Sequence, residues 1–387
     1  MEKICRRISE IGTVVGGGTP STKNPDYWGG DIPWISPKDL TDYKSVYISK
    51  GENFLTEKGL KSGTRLLPKN TLLFSSRAPI GYVALAANPI CTNQGFKSIV
   101  CDEKQVVPLY LYYYMKANLD YIKLFGTGAT FPEISGKTMG KIKVEIFKSL
   151  DVQHRIASIL STYDSLIENN TKRIRLLDKM AENLYKEWFV RFRFPGHENV
   201  EMENGLPKGW KRGSLSDVCE FKRGKNITSS EMQEGNVPVI SAGLEPSGYH
   251  SCSNVKGVNV TMSSSGANAG YIAIHYSDIW AADCSYIEES TTGNIYYVYE
   301  LLNNIRTVIN NFQRGAAQPH VYPKDVNRIK LILPSKKLML KANGRLEIMY
   351  KEIYNLQKQN SLLARQRDLL LPRLMSGKLE VKEELLE

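Results

Sequence analysis

Gly128-Ala129-Thr130-Phe131-Pro132 is echoed later in the chain by Gly315-Ala316-Ala317-Gln318-Pro319. Each pentapeptide is followed at the same distance by a short β-like run, Ile142-Lys143-Val144 and Ile329-Lys330-Leu331, so no gap interrupts the match. Upstream, Ser75-Ser76-Arg77-Ala78-Pro79-Ile80-Gly81-Tyr82 aligns with Ser264-Ser265-Gly266-Ala267-Asn268-Ala269-Gly270-Tyr271. Further back, Trp34-Ile35-Ser36 aligns with Val239-Ile240-Ser241, at an interval that implies an insertion in a loop. Downstream, Arg155-Ile156 answers Arg345-Leu346, and a long helical pattern follows both. A repeat of this size is a duplicated domain plus helix, not a short solenoid unit.

The fold class that follows is mixed α/β (α+β), in the order domain, helix, domain, helix. Residues 1–148 alternate short strand-like runs with turn signals and form the first domain. Residues 149–194 form the first long helix, 195–334 a linker and the second domain, and 335–387 the second long helix with an acidic tail. In the first helix, Ile156, Leu160, Tyr163, Ile167, Ile174, Leu177, Ala181, Leu184 and Trp188 recur in steps of three and four, with Asn170 the polar interruption. The second repeats this with Leu346, Met349, Ile353, Leu356, Leu363, Leu370 and Leu374, interrupted by Asn360. Such seams belong to helices packed along other helices, and a buried Asn in one fixes register at a cost in stability. We therefore expect Asn170 and Asn360 near each other where the helices cross. A helix of this length spans roughly 60 Å, more than one small domain needs, so it suits a spacer. Arg191-Phe192-Arg193-Phe194-Pro195-Gly196 reads as its stop, and the second helix meets Pro372.

The 387 residues carry a net charge of +11, which favours a polyanionic partner. No apolar run has the length of a bilayer span, and Met1–Arg7 lacks the apolar stretch of a signal peptide, so a cytoplasmic location is expected. The six cysteines are scattered without a C-x-x-C pair, which predicts reduced thiols and no metal site.

Fragments that invite an enzymatic reading fail on chemistry. Gly136-Lys137-Thr138 lacks the glycine that a phosphate-binding loop needs at position 131, where Phe stands. Asn24-Pro25-Asp26-Tyr27 reads as a turn followed by an aromatic residue. The five histidines lie in unrelated contexts; only His320 sits in a repeated motif, where its counterpart is Glu133. No catalytic residue is assigned.

What remains is a recognition surface. Small hydroxyls, basic side chains and open backbone amides suit phosphate and base-edge contacts. In the first copy the candidates are Thr19, Ser21, Lys23, Ser75, Ser76, Arg77, Thr127 and Thr130. In the second they are Lys222, Arg223, Lys225, Ser263, Ser264, Gln313 and Arg314. Residues shared between copies suit scaffold, and residues that differ within equivalent loops suit sequence readout.

With these residues in place, the chain resembles the DNA specificity subunit of type I restriction-modification systems. The carriers are the duplicated motifs above, Gln153-His154-Arg155-Ile156-Ala157-Ser158-Ile159-Leu160, Leu206-Pro207-Lys208-Gly209-Trp210, and Leu369-Leu370-Leu371-Pro372-Arg373-Leu374-Met375-Ser376-Gly377-Lys378-Leu379. The resemblance implies two target recognition domains separated by two long antiparallel coiled-coil helices in a pseudo-twofold frame. Each domain would read one half of a bipartite, asymmetric site on double-stranded DNA. The subunit would be non-catalytic and carry no cofactor. It would dock two modification subunits, which use S-adenosylmethionine to methylate adenine, and through them restriction subunits that use ATP and Mg. Ile156, Leu160, Ile167, Asn170, Ile174, Leu177, Trp188, Leu346, Ile353, Asn360, Leu363 and Leu370 would form the helix seam. Apolar positions beyond it, such as Leu166, Leu176, Trp188 and Phe189, would dock partners. The alternatives are the specificity region of a single-chain restriction-methylase and a coiled-coil protein-interaction scaffold. The start at Met1 and the two-copy arrangement argue against the first of these.

Overall fold

The computed structural model describes residues 2–128, 130, 132–315 and 319–381. Ala129 and Phe131 of the first motif, Ala316-Ala317-Gln318 of its echo and the acidic tail from Lys382 lie outside the described residues. The chain forms two compact units, Met1–Asn170 with Gln359–Glu387, and Thr171–Lys358. This division differs from the four consecutive segments read in the sequence, because each unit takes part of both long helices into its core.

In the first unit, a five-stranded sheet runs in the order Gly12–Gly16, Lys97–Cys101, Leu72–Ser76, Ile80–Ala86, Tyr47–Ile48. A three-stranded sheet joins Asn53–Leu55, Trp28–Ile35 and Cys91–Thr92, and Lys3–Arg7 pairs with Lys143–Phe147. Leu72–Ser76 is buried throughout because it serves two cores. Leu72 and Phe74 face the helical core with Tyr110, Leu111 and Met115, while Leu73 faces Ile35, Ile48 and Phe96. That is the two-residue period of a strand covered on both faces.

The second unit repeats the plan. Lys222–Arg223, Cys284–Glu288, Asn259–Ser263 and Ile272–His275 make one sheet, Gly248–His250, Val237–Ile240 and Trp280–Ala281 another, and Lys211–Ser214 pairs with Lys330–Leu333. Strand for strand the order of these sheets matches the first unit, except that Tyr47–Ile48 has no counterpart in the larger sheet, and the second unit adds the pair Met202–Glu203 and Leu206–Pro207. Thr261 pairs with Ala273 as Leu73 pairs with Ala84.

The long helices are Leu150–Tyr185 and Lys336–Ser376. Within the first unit they run antiparallel: Asp164 pairs with Arg367, and Asn170 Nδ2 donates to Gln359 Oε1 at 3.4 Å. Within the second, Arg173 Nη2 lies 2.7 Å from Glu352 Oε1, and the Arg345 guanidinium sits over the Trp188 ring. Asn170 is buried, and its amide meets that of Gln359, the neighbour of Asn360.

The helices are domain core as much as seam. Ile156 and Leu160 bury with Leu374 and Met375 among the first unit's residues, with Leu370 packed against them. Trp188, Leu346 and Ile353 bury in the second unit, with Ile174 and Leu177 packed alongside. Ile167 and Leu363 are half-buried. Each fully buried Leu or Ile contributes about 1.5–3 kcal/mol, so the helices are held by the domains they join. Trp188 and Phe189, read in the sequence as docking positions, are 7% and 8% exposed and face this core. Leu166 and Leu176 are exposed, as are Met180, Leu340, Ile348, Leu362 and Leu369.

Two buried amides at equivalent repeat positions tie each domain to its helix. Gln153 Oε1 accepts from the Val107 N–H at 2.8 Å and its Nε2 donates to the Phe147 carbonyl at 2.7 Å. Asn343 Oδ1 accepts from the Tyr296 and Tyr297 N–H groups at 3.0 and 3.2 Å. Both satisfy backbone groups at the start of the Tyr-rich helices, Pro108–Ala117 and Ile295–Asn304, where intrahelical partners are missing.

The ends of the long helices also differ from the sequence reading. The first closes in a π-helical turn over Lys186–Val190, and Phe192 in the left-handed region (φ 60°) stops it before Pro195-Gly196. The second continues through Pro372 to Ser376, where Gly377 (φ 78°) ends it. Buried Leu374 and Met375 hold that last turn on the first unit.

Candidate nucleic-acid interface

In the first unit the glycine run threads between two loops. The Gly18 N–H donates to the Thr92 carbonyl at 2.9 Å, and the Gly18 carbonyl accepts from the Trp34 indole at 2.9 Å. A Cβ on Gly17 would lie 1.9 Å from the Asn93 carbonyl, and one on Gly18 would lie 1.8 Å from that of Gly63. Only glycine permits this approach, which brings exposed Thr19 into a hydrogen bond with Gln94. Ser21 and Lys23 follow in an exposed turn, with the Ser21 carbonyl accepting from Trp28 Nε1 at 3.2 Å.

Beside Gln94 lies the end of strand Leu72–Ser76. The Ser76 N–H donates to the Gly95 carbonyl at 2.7 Å, and the Ser76 carbonyl accepts from the Ile134 N–H at 3.0 Å. Arg77 and Thr127 each bridge Glu133 through the backbone. The Glu133 carboxylate holds Arg77 Nη1 at 3.5 Å and Lys97 Nζ at 3.0 Å. Arg77, Lys97, Glu133, Gln94 and Thr19 therefore share one platform, with exposed Thr127 on its rim; Thr130 is exposed as well.

The second unit builds the same platform with other side chains. The Lys225 N–H donates to the Ala281 carbonyl, and the Lys225 carbonyl accepts from the Trp280 indole, both at 2.9 Å. Trp34 and Trp280 lie on different strands of the repeat yet tether the same backbone position. The Val321 N–H donates to the Ser264 carbonyl at 3.0 Å, and Ser265 and Arg314 bridge His320. Asp283 accepts from Arg223 Nη2 and from the Ser265 hydroxyl, each at 2.5 Å. Arg314 Nη2 lies 2.9 Å from Asp325, Gln313 Nε2 donates to the Ala269 carbonyl at 2.8 Å, and Lys222 Nζ lies 4.0 Å from Glu288.

These bonds correct the sequence alignment by one residue. The counterpart of Ser76 is Ser264, and that of Arg77 is Ser265, not Gly266. The extra residue of the second copy lies in the turn between its two strands. They also correct four site assignments. Ser75, Ser76, Ser263 and Ser264 are buried, so their side chains face away from any partner. Ser75 accepts from the Gly81 and Tyr82 N–H groups and donates to the Pro79 carbonyl, Ser76 donates to the Gly95 carbonyl and Ser263 to the Ala242 carbonyl. Through these bonds Ser75, Ser76 and Ser263 shape the loops around the strand ends. Thr19, Ser21, Lys23, Arg77, Thr127, Thr130, Lys222, Arg223, Lys225, Gln313 and Arg314 remain at the surface.

Sequence reading missed the acids. Glu133, Asp283 and Asp325 hold Arg77, Arg223 and Arg314 respectively, and only Glu133 sat inside a recognised motif. Among the described residues no group of three or more His, Cys, Asp or Glu could hold a metal. No helix among them is long and apolar enough to cross a membrane. The described cysteines are free thiols, and burial pushes those of Cys219 and Cys284 up to about 12.

The family model described as "Type I restriction modification DNA specificity domain" matches residues 3–179 and again 207–362. The MjaIX specificity subunit of Methanocaldococcus jannaschii, a type I restriction enzyme subunit, is 35% identical over 98% of this chain and 94% of its own. The EcoR124I/EcoR124II specificity subunit of Escherichia coli is 31% identical over 50% of this chain and 49% of its own. The crystal structure of a type I restriction-modification S subunit from M. genitalium superposes with a TM-score of 0.69 at 20% identity, covering 99% of this chain and 97% of that one, which shows a shared fold. The chain belongs to the type I restriction-modification DNA specificity family and carries the family's domain twice. It is a DNA sequence-specificity subunit.

Proposed function

We propose that each compact unit reads one half of a bipartite, asymmetric duplex site, through the platform around Arg77 in the first and Arg223 in the second. The observation that carries this reading is the pairing of a repeated backbone frame with unrepeated side chains: Arg77 and Glu133 stand where Ser265 and His320 stand in the other copy. A reader of two unlike half-sites needs that arrangement, whereas a catalytic set would repeat its chemistry.

The subunit acts without catalysis of its own and works in the cytoplasm. Its long helices space the readers and dock two modification subunits, and the exposed Leu166, Leu362 and Leu369 of one unit and Leu176, Met180 and Ile348 of the other supply apolar contacts for them. Those partners use S-adenosylmethionine to methylate adenine, and they in turn recruit restriction subunits that use ATP and Mg. The test is a salt titration of a duplex selected by the assembled complex against a scrambled duplex. Specific binding should exceed non-specific binding by 10³-fold or more and weaken linearly with log salt. Equal affinity for both duplexes would refute the reading.

A further inference from the structure

Each platform holds an arginine on a carboxylate, but the two pairs come from different elements. In the first unit the residue bridging position 133 is Arg77, whose guanidinium rests on the Glu133 carboxylate. In the second, the residue at Arg77's place is Ser265, and its hydroxyl fixes one oxygen of Asp283 while Arg223 takes the other. Arg223 comes from another strand: it pairs with Ser285 where, in the first unit, Gly16 pairs with Lys97. Gly16 has open space where a Cβ would project, and Gly95 occupies the place of Asp283. Cation and acid have thus each moved to a different element, while each platform keeps a carboxylate-held guanidinium.

Resting on the function proposed above, we infer that Glu133 and Asp283 are positioning residues for base readout, each holding one guanidinium, Arg77 or Arg223, in a fixed orientation toward the duplex. An arginine free on the surface samples many rotamers and loses that entropy when it is fixed. Reading the O6 and N7 of guanine requires the fork to approach in one plane, and an acid that has already selected that plane removes much of the entropic cost. The same acid offsets charge that would otherwise attract any phosphate. Both arginines remain reachable, with side chains 38% and 46% exposed. Glu133 also carries Lys97, so the Arg77 clamp is the looser of the two, consistent with its 3.5 Å separation against 2.5 Å at Asp283.

The experiment uses the full chain, assembled with modification subunits, and a randomised duplex library from which the wild type selects its site. Glu133→Gln should cut discrimination about tenfold at one half-site, leave the other intact, strengthen binding to a random duplex and steepen the salt slope by about one ion. Asp283→Asn should do the same at the other half-site. Arg77→Ala with Glu133→Gln should lose no more discrimination than Arg77→Ala alone, which leaves Glu133 paired with Lys97 and so protects the fold. Discrimination retained in both acid variants, equal loss at both half-sites, or multiplying losses in the double variant would overturn the inference alone. A wild type that prefers no duplex would overturn the proposed function, and this inference with it.

Discussion

The carboxylate of Asp164 and the guanidinium of Arg367 form an ion pair across the two long helices of the first unit, with side chains 7% and 17% exposed. Tyr113 of the domain's Tyr-rich helix donates to the second oxygen of Asp164 at 2.5 Å, so one acid joins both helices and the domain. In the second unit a hydrogen bond between the short helix and one long helix has the roles exchanged: the acid, Glu300, sits on the short helix, and the hydroxyl, Tyr350, on the long one.

Removing one partner of a buried pair leaves a charge without compensation, at about 3–5 kcal/mol. Arg367→Met should therefore destabilise the first unit by about 3 kcal/mol or more in urea unfolding. Adding Asp164→Asn, which keeps an acceptor for Tyr113, should recover all but about 1 kcal/mol of that loss. No recovery would mean that the pair's charge does not account for the loss.

The second unit should show two opposing pH dependences. Burial pushes the Glu300 carboxyl up to about 7 from 4.5, a rise that its hydrogen bond from Tyr350 partly offsets. The folded state keeps a proton that the unfolded chain releases, so this stability is complete below pH 4.5 and is lost as pH rises to 7. Burial pushes His275 down to about 4 from 6.5, so its contribution is complete above pH 6.5 and is lost as pH falls to 4. Between pH 4.5 and 6.5 the two slopes offset each other. Glu300→Gln should expose a stability that rises with pH and add on the order of 3 kcal/mol at pH 8. His275→Gln should expose a fall. Urea unfolding from pH 4 to 8 measures both, and parallel slopes in the two variants would contradict the assignment.

The amide anchors predict local effects. Gln153→Leu leaves the Val107 N–H and the Phe147 carbonyl without their partner, at about 1–3 kcal/mol each. Hydrogen exchange should quicken at Pro108–Ala117 and stay unchanged at Ile295–Asn304, with the reverse pattern for Asn343→Leu. Equal quickening of both helices in either variant would show that the anchors are not local.

If the helices set the spacing of the half-sites, lengthening both by one turn, about 5.4 Å, should widen the unread spacer by one to two base pairs at about 3.4 Å each. Matched insertions after Asn170 and before Gln359 keep the pairing within each unit. An unchanged spacer in the selected sites would show that the helices are not the ruler.

The duplication, the long helices and their polar interruptions were legible because each is a periodic or repeated pattern. The strand register was not. Ser263-Ser264-Ser265 offers two equally good alignments to Ser75-Ser76, and only hydrogen bonds to the loop ending at Val321 decide between them. Helix phase showed that Trp188 and Phe189 are apolar helix positions, but the core that covers them includes residues such as Tyr297, more than a hundred positions away. Glu133, Asp283 and Asp325 were missed for a related reason. An acid that positions an arginine is defined by contact in space, and its sequence neighbours, such as Ala282 and Cys284 beside Asp283, give no sign of it.

A domain exchange distinguishes two separate readers on one frame from a single continuous one. Residues 1–148 are replaced by the corresponding domain of another family member, and duplexes are selected from a random library with the assembled complex. One half-site should change to that of the donor, while the other half-site and the spacer stay as in the wild type. A change in both half-sites, or in neither, would contradict two separate readers.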